Sequence, residues 1–102
     1  MYLVQVLLPL YDNDGQLLPR ELHIRVRVEL AERFGGLTAY TRAPAEGLWQ
    51  EGAAGTRRDD IVIYEVMTAR LCVRWWRDYR GGLEARFKQE QVVVRAQQIR
   101  LL

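Results

Sequence analysis

Cysteine, histidine and lysine are nearly missing from this chain. Cys72, His23 and Lys88 each stand alone among 102 residues. A single thiol cannot close a disulfide within the chain, which points to a reducing, cytoplasmic setting. One thiol and one imidazole also fall short of the cluster that holds a zinc ion, so no metal and no cofactor is expected. Long apolar runs are missing too. None approaches the roughly 18 residues that a membrane-spanning helix needs. "MYLVQVLLPL" has neither the basic start nor the small-residue cleavage site of a signal peptide, so no membrane partner is expected.

A strong excess of one charge is absent as well. Fifteen basic residues face thirteen acidic ones, for a net charge of +2. That is weak for a protein that neutralises a phosphate backbone, and it argues against nucleic acid as a partner. All but one of the basic residues is arginine. Arginine suits carboxylate or phosphate recognition, but a GC-rich genome gives the same bias. Apolar residues make up 49% and charged residues 27%, an ordinary balance for one globular domain spanning residues 1–102.

What is present is a sequence of alternating patterns. Residues 2–11, "YLVQVLLPLY", read as a buried strand stopped by "DNDG", with Pro9 near its end or at a bulge. "LHIRVRVEL" alternates like a strand and could pair back on the first as a hairpin. Yet Leu22, Val26, Leu30 and Phe34 stand four apart, on one helical face. Pro19 suits a helix start and Gly35 the position just past a helix end. The spacing therefore predicts a helix over 19–34, with Ile24, Val28 and Ala31 as a weaker second face and His23 on its surface. A phosphate cradle needs glycines between a strand and the following helix; Gly35 and Gly36 come in the reverse order.

"LTAYTR", 37–42, follows as a strand. A long connection after it carries Trp49 and a possible strand at 48–50. "DDIVIYEVM", 59–67, is the clearest strand. Thr68 suits the cap of a second helix. Cys72, Trp75, Trp76, Tyr79, Leu83 and Phe87 mark that helix, with Phe34, Trp75, Tyr79, Leu83 and Phe87 expected in one core. Gly81 and Gly82 interrupt it, which suggests a kink or a close backbone approach. Arg70, Arg74, Arg77 and Arg80 would form a basic stripe broken by Asp78 and Glu84. "QVVVRAQQI", 91–99, is the last strand. The order β-α-β-β-α-β predicts a ferredoxin-like α+β sandwich, a four-stranded antiparallel sheet of order 4-1-3-2 with two helices on one face.

Four pieces, "ELAERFGGLTAY" (29–40), "GLW" (47–49), "VIYEVM" (62–67) and "RFKQEQVVVRA" (86–96), resemble small uncharacterised bacterial proteins of ferredoxin-like type. The family has no known function, and its members often carry an export signal. The resemblance implies the fold and supplies no catalytic residue; the missing signal keeps the exported setting from carrying over.

The sheet face away from the helices is where a site would lie. Period-two alternation puts Thr38, Tyr40 and Arg42 together on one face, Arg95 and Gln97 on another strand, and Gln5 on the first. Glu65 sits inside an apolar strand, where a carboxylate must be paired or wet. It reads as a general base or an anchor for a cationic group beside Tyr40 and Arg42, or as a structural ion pair with Arg42 or Arg95. The candidate site residues are thus Glu65, Tyr40, Arg42 and Arg95. Three functions follow. One is a homodimer that buries the open sheet face, with no assignable activity. Another is a small-molecule enzyme using Glu65 and Tyr40. A nucleic-acid binder comes last, because RNA-recognition domains carry a basic and aromatic third strand and this one reads "IVIYEVM". A cavity that reaches Glu65 favours the enzyme over a sealed structural pair.

Overall fold

The computed structural model describes residues 1–42 and 60–102. Trp49, the strand expected at 48–50 and the side chain of Arg42 lie outside the described residues. The elements are β1 (Tyr2–Pro9), α1 (Arg20–Phe34), β2 (Thr38–Arg42), β3 (Ile61–Thr68), α2 (Val73–Arg86) and β4 (Val93–Gln98). Every strand pair is antiparallel, and the order across the sheet is β2-β3-β1-β4. This is the ferredoxin-like sandwich. No helix among the described residues is long and apolar enough to cross a membrane.

Alternation along β1 buries Val4, Val6 and Leu8 and leaves Leu3, Gln5 and Leu7 on the other face. "DNDG" then turns the chain. The Asp12 carboxylate accepts from the backbone N–H groups of Asp14 and Gln16, and Gly15 supplies the positive φ. The hairpin that this turn starts ends after one bridge, Tyr11 to Leu17. Pro19 then precedes the first turn of α1.

The contest between helix and strand over "LHIRVRVEL" is settled by burial. Val26 and Leu30 are fully buried in the core, and Leu22 and Phe34 pack against it. The apolar residues that mimic a strand, Ile24 and Val28, face solvent. Gly35 ends the helix in the left-handed region at φ 75°, its N–H bonded to the Ala31 carbonyl.

His23 departs from the expected surface position: it is only 9% exposed. Its Nε2 lies 3.0 Å from the Pro9 carbonyl, which can only accept, so Nε2 carries the proton. Nδ1 then accepts from the Tyr64 hydroxyl at 2.7 Å. The ring ties α1 to β1 and β3, with the Phe87 edge against it. Burial holds the imidazole below its ordinary value of 6.5, helped by the charge of Arg27 and opposed by the Pro9 bond. The neutral form therefore belongs to the fold. Stability is complete above 6.5 and declines as pH falls below it, because the unfolded chain takes up the proton first. We expect a sloping urea midpoint between about pH 7 and pH 5 in the wild type, and a flatter one in His23→Phe. Equal slopes in the two proteins would remove the imidazole from the account.

The second helix corrects four expectations. Thr68 does not cap it: Thr68 ends β3, its hydroxyl donates to the Arg70 carbonyl, and α2 begins after Cys72. Arg70 accordingly precedes the helix and leaves the stripe to Arg74, Arg77 and Arg80. Trp76, not Trp75, is the buried tryptophan; Trp75 and Tyr79 are half-buried at its flank. No close backbone approach explains Gly81 and Gly82, since an added Cβ would meet nothing within 4 Å at either.

The two helices are clamped by Glu29. Its carboxylate accepts both terminal nitrogens of Arg86, at 2.7 and 3.1 Å, the Tyr79 hydroxyl at 2.9 Å and Arg25 Nε at 3.2 Å. Burial pushes this carboxyl up, but the bonds from Arg86 and Tyr79 outweigh it and hold it below its ordinary value of 4.5. A depressed carboxyl contributes stability that is present above 4.5 and lost as pH falls through the lower folded value. Glu29→Gln is expected to cost about 1–2 kcal/mol in urea unfolding, since a charge-assisted fork becomes neutral. An unchanged midpoint would show that the clamp is only a surface contact.

Candidate functional site

The strand register builds the site. Thr38, Glu65, Gln5 and Arg95 stand opposite one another across β2, β3, β1 and β4. The core residues Val4, Val66 and Tyr64 point toward the helices. Period-two alternation therefore turns Gln5 and Glu65 to the open face. Tyr40, two residues along β2 from Thr38, reaches Glu65 diagonally.

These groups form one hydrogen-bonded row. Tyr40 donates its hydroxyl to Glu65 Oε1 at 2.8 Å, and Gln5 Nε2 donates to the same oxygen at 2.6 Å. Gln5 Nε2 also lies 3.3 Å from the Tyr40 hydroxyl oxygen. The other end of the Gln5 amide accepts from Arg95 Nε at 2.7 Å. The expected direct pair of Glu65 with Arg95 is thus replaced by a relay: β1 lies between them, and the Gln5 amide dipole points from guanidinium to carboxylate. Arg42 continues β2 opposite Ile61. The sequence placed Gln5 with the polar residues of the open face; its pairing opposite Glu65 gives it a role there.

Two features make the row chemically available. The Glu65 bond raises the Tyr40 phenol above its ordinary value of 10.0, with burial and the carboxylate charge adding to it. Tyr40 is therefore a neutral donor at neutral pH. Among the described residues both bonds to the Glu65 carboxylate go to Oε1.

A groove of about 340 Å³ reaches Glu65. It exists because β2 starts at Thr38, opposite Glu65, while β3 runs on to Thr68. The edge of β3 beyond Glu65 has no strand beside it. Gly35 and Gly36 cross the gap without side chains, and Leu3, Phe34 and Met67 supply apolar walls. Among the described residues no cluster of metal-ligating groups occurs.

No family model matches this chain, and no curated protein matches it. Among solved structures it is similar to a phage SAM lyase in complex with S-methyl-5'-thioadenosine. The TM-score is 0.59 at 16% sequence identity, over 95% of this chain and 80% of that one. At that identity the likeness speaks to the fold. The architecture read from the strand register and the one matched in a small enzyme are the same ferredoxin-like sandwich.

Proposed function

We propose that this chain is a small-molecule enzyme that takes a sulfonium or thioether nucleoside in the groove at Glu65. The observation that carries the reading is Glu65 itself, held through Oε1 by Tyr40 and Gln5 and lining a groove with apolar walls. A buried or half-buried carboxylate recognises a cation. Pockets of this kind place a few polar groups on an apolar surface. The phage structure supplies the ligand class, because its S-methyl-5'-thioadenosine is the thioether left when the sulfonium of S-adenosylmethionine is cleaved.

The chemistry suits these residues. The cleavage balances when the substrate's own carboxylate oxygen bonds to the chain carbon as that carbon's bond to sulfur breaks, closing a lactone; the electron pair goes to sulfur and the positive charge there disappears. Glu65 holds the sulfonium against its carboxylate. Tyr40 and Gln5 fix the carboxylate, and the guanidinium of Arg95 fixes Gln5. The test is incubation of the purified protein with S-adenosylmethionine, read by mass spectrometry. Formation of S-methyl-5'-thioadenosine supports the reading. No product, together with no binding of either compound, sinks it.

A second reading concerns assembly. Met67 and Val93 are 51% and 44% exposed on the open face, beside the half-buried Leu3 and Leu7. Such a face favours a homodimer formed through it. Light scattering should then give twice the chain mass, falling to one chain mass in Val93→Glu. A monomeric wild type would leave the face to the ligand alone.

A further inference from the structure

A second hollow, of about 380 Å³, shares Phe34 with the Glu65 groove and lies between the end of α1 and the start of α2. Its walls are aromatic and basic: Phe34, Trp75 and Trp76 with Arg33 and Arg70, and Cys72 at the rim. The rings form a rigid corner. Phe34 stacks on Trp76 at 5.1 Å, and Trp75 stands edge-on to Trp76 at 4.8 Å and to Phe34 at 5.6 Å.

Arg33 is held by that corner. Its guanidinium carbon lies 4.1 Å from the centre of the Trp75 ring and 5.8 Å from that of Phe34. Cation–π stacking occupies the flat face of the guanidinium and leaves its N–H donors pointing outward in the plane. Among the described residues no carboxylate meets Arg33 or Arg70, and none lines the hollow. Among the described residues Arg25 and Arg86 pair with Glu29 and Arg80 with Glu84, while Arg20, Arg27, Arg74 and Arg77 lie on the helices without an ion pair; what sets Arg33 and Arg70 apart is that they share a hollow with aromatic walls. Arg33 and Arg70 both line the hollow, so an anion in it would meet two positive charges beside an apolar wall.

We propose that this hollow binds a small oxyanion, a carboxylate or a phosphate, carried on a planar apolar body. The body lies against Trp75 and Trp76, and the oxyanion bridges Arg33 and Arg70. The proposal stands on these residues alone and does not depend on the reading of Glu65.

Cys72 is the only cysteine of the chain, and it is exposed. Its alkylation by neutral N-ethylmaleimide therefore reports on this one place. The rate is measured with phenylacetate, with phenyl phosphate and with uncharged benzyl alcohol, and each protein is compared with itself unliganded, because removing an arginine alters the thiol. We expect phenylacetate or phenyl phosphate to slow alkylation saturably in the wild type while benzyl alcohol does not; which anion protects identifies the headgroup. Arg33→Gln and Arg70→Gln should each raise the half-protecting concentration about tenfold, as loss of a charge-assisted bond implies. Arg74→Gln, on the exposed side of α2, should not. Protection by benzyl alcohol equal to that by the anions, protection unchanged in the two arginine variants, or no protection of the wild type would each overturn the proposal.

Discussion

Phe87→Ala should lower the stability of this protein by about 3–5 kcal/mol, the largest effect expected from any single core substitution here. Phe87 is the largest fully buried side chain, and its ring fills the space beneath α1 and α2. It touches the edge of His23, and through that ring the Tyr64 and Pro9 bonds that join α1 to the sheet. Removing it leaves a cavity in the core cluster between the sheet and the helices. The N–H of Phe87 also bonds the Leu83 carbonyl at the end of α2; alanine keeps that bond, which confines the loss to packing. Urea unfolding with an unchanged slope would attribute the loss to the native core. A shift below about 1 kcal/mol would mean that the site repacks and that Phe87 is not central.

Glu65→Gln should have the opposite signature. The amide oxygen can still accept from Tyr40 and Gln5, so the row survives and the melting temperature stays level or rises. Active-site charges commonly cost stability, and removing one returns it. The kcat/KM for a sulfonium substrate should fall about tenfold through a higher KM, because the carboxylate binds a charge that the reaction removes. A stable variant with weakened substrate capture is the outcome that the reading of Glu65 implies. A variant that melts early would instead make Glu65 a structural member of the Gln5–Arg95 relay.

Much of this architecture is visible in the sequence, because its elements carry their own periodicity. Leu22, Val26, Leu30 and Phe34 specify the α1 face despite the strand-like alternation of Ile24, Val26 and Val28. His23 follows the same rule, standing three before Val26, and its burial was legible there; a lone polar residue simply reads as surface. Trp75 and Trp76 could not be told apart by spacing, since a rotation of α2 by a fraction of a turn exchanges them. The strand order placed Glu65 centrally between the strands of Gln5 and Tyr40. The same order already set β1 between Glu65 and Arg95; what it did not convey is the register that pairs Gln5 opposite both, which turns an expected ion pair into a relay. The groove was not legible at all, because it arises from β2 starting three residues short of the end of β3.

The most direct test of the central claim is calorimetric titration of the wild type and of Glu65→Gln with S-adenosylmethionine and with S-methyl-5'-thioadenosine. The two ligands share the adenosine and the sulfur, but only the first carries the positive charge at sulfur and the amino-acid arm. If Glu65 anchors the sulfonium, the substitution should weaken S-adenosylmethionine about tenfold or more and leave the thioether nearly unchanged. Equal losses for both ligands, or none for either, would contradict a carboxylate that recognises the charge on sulfur.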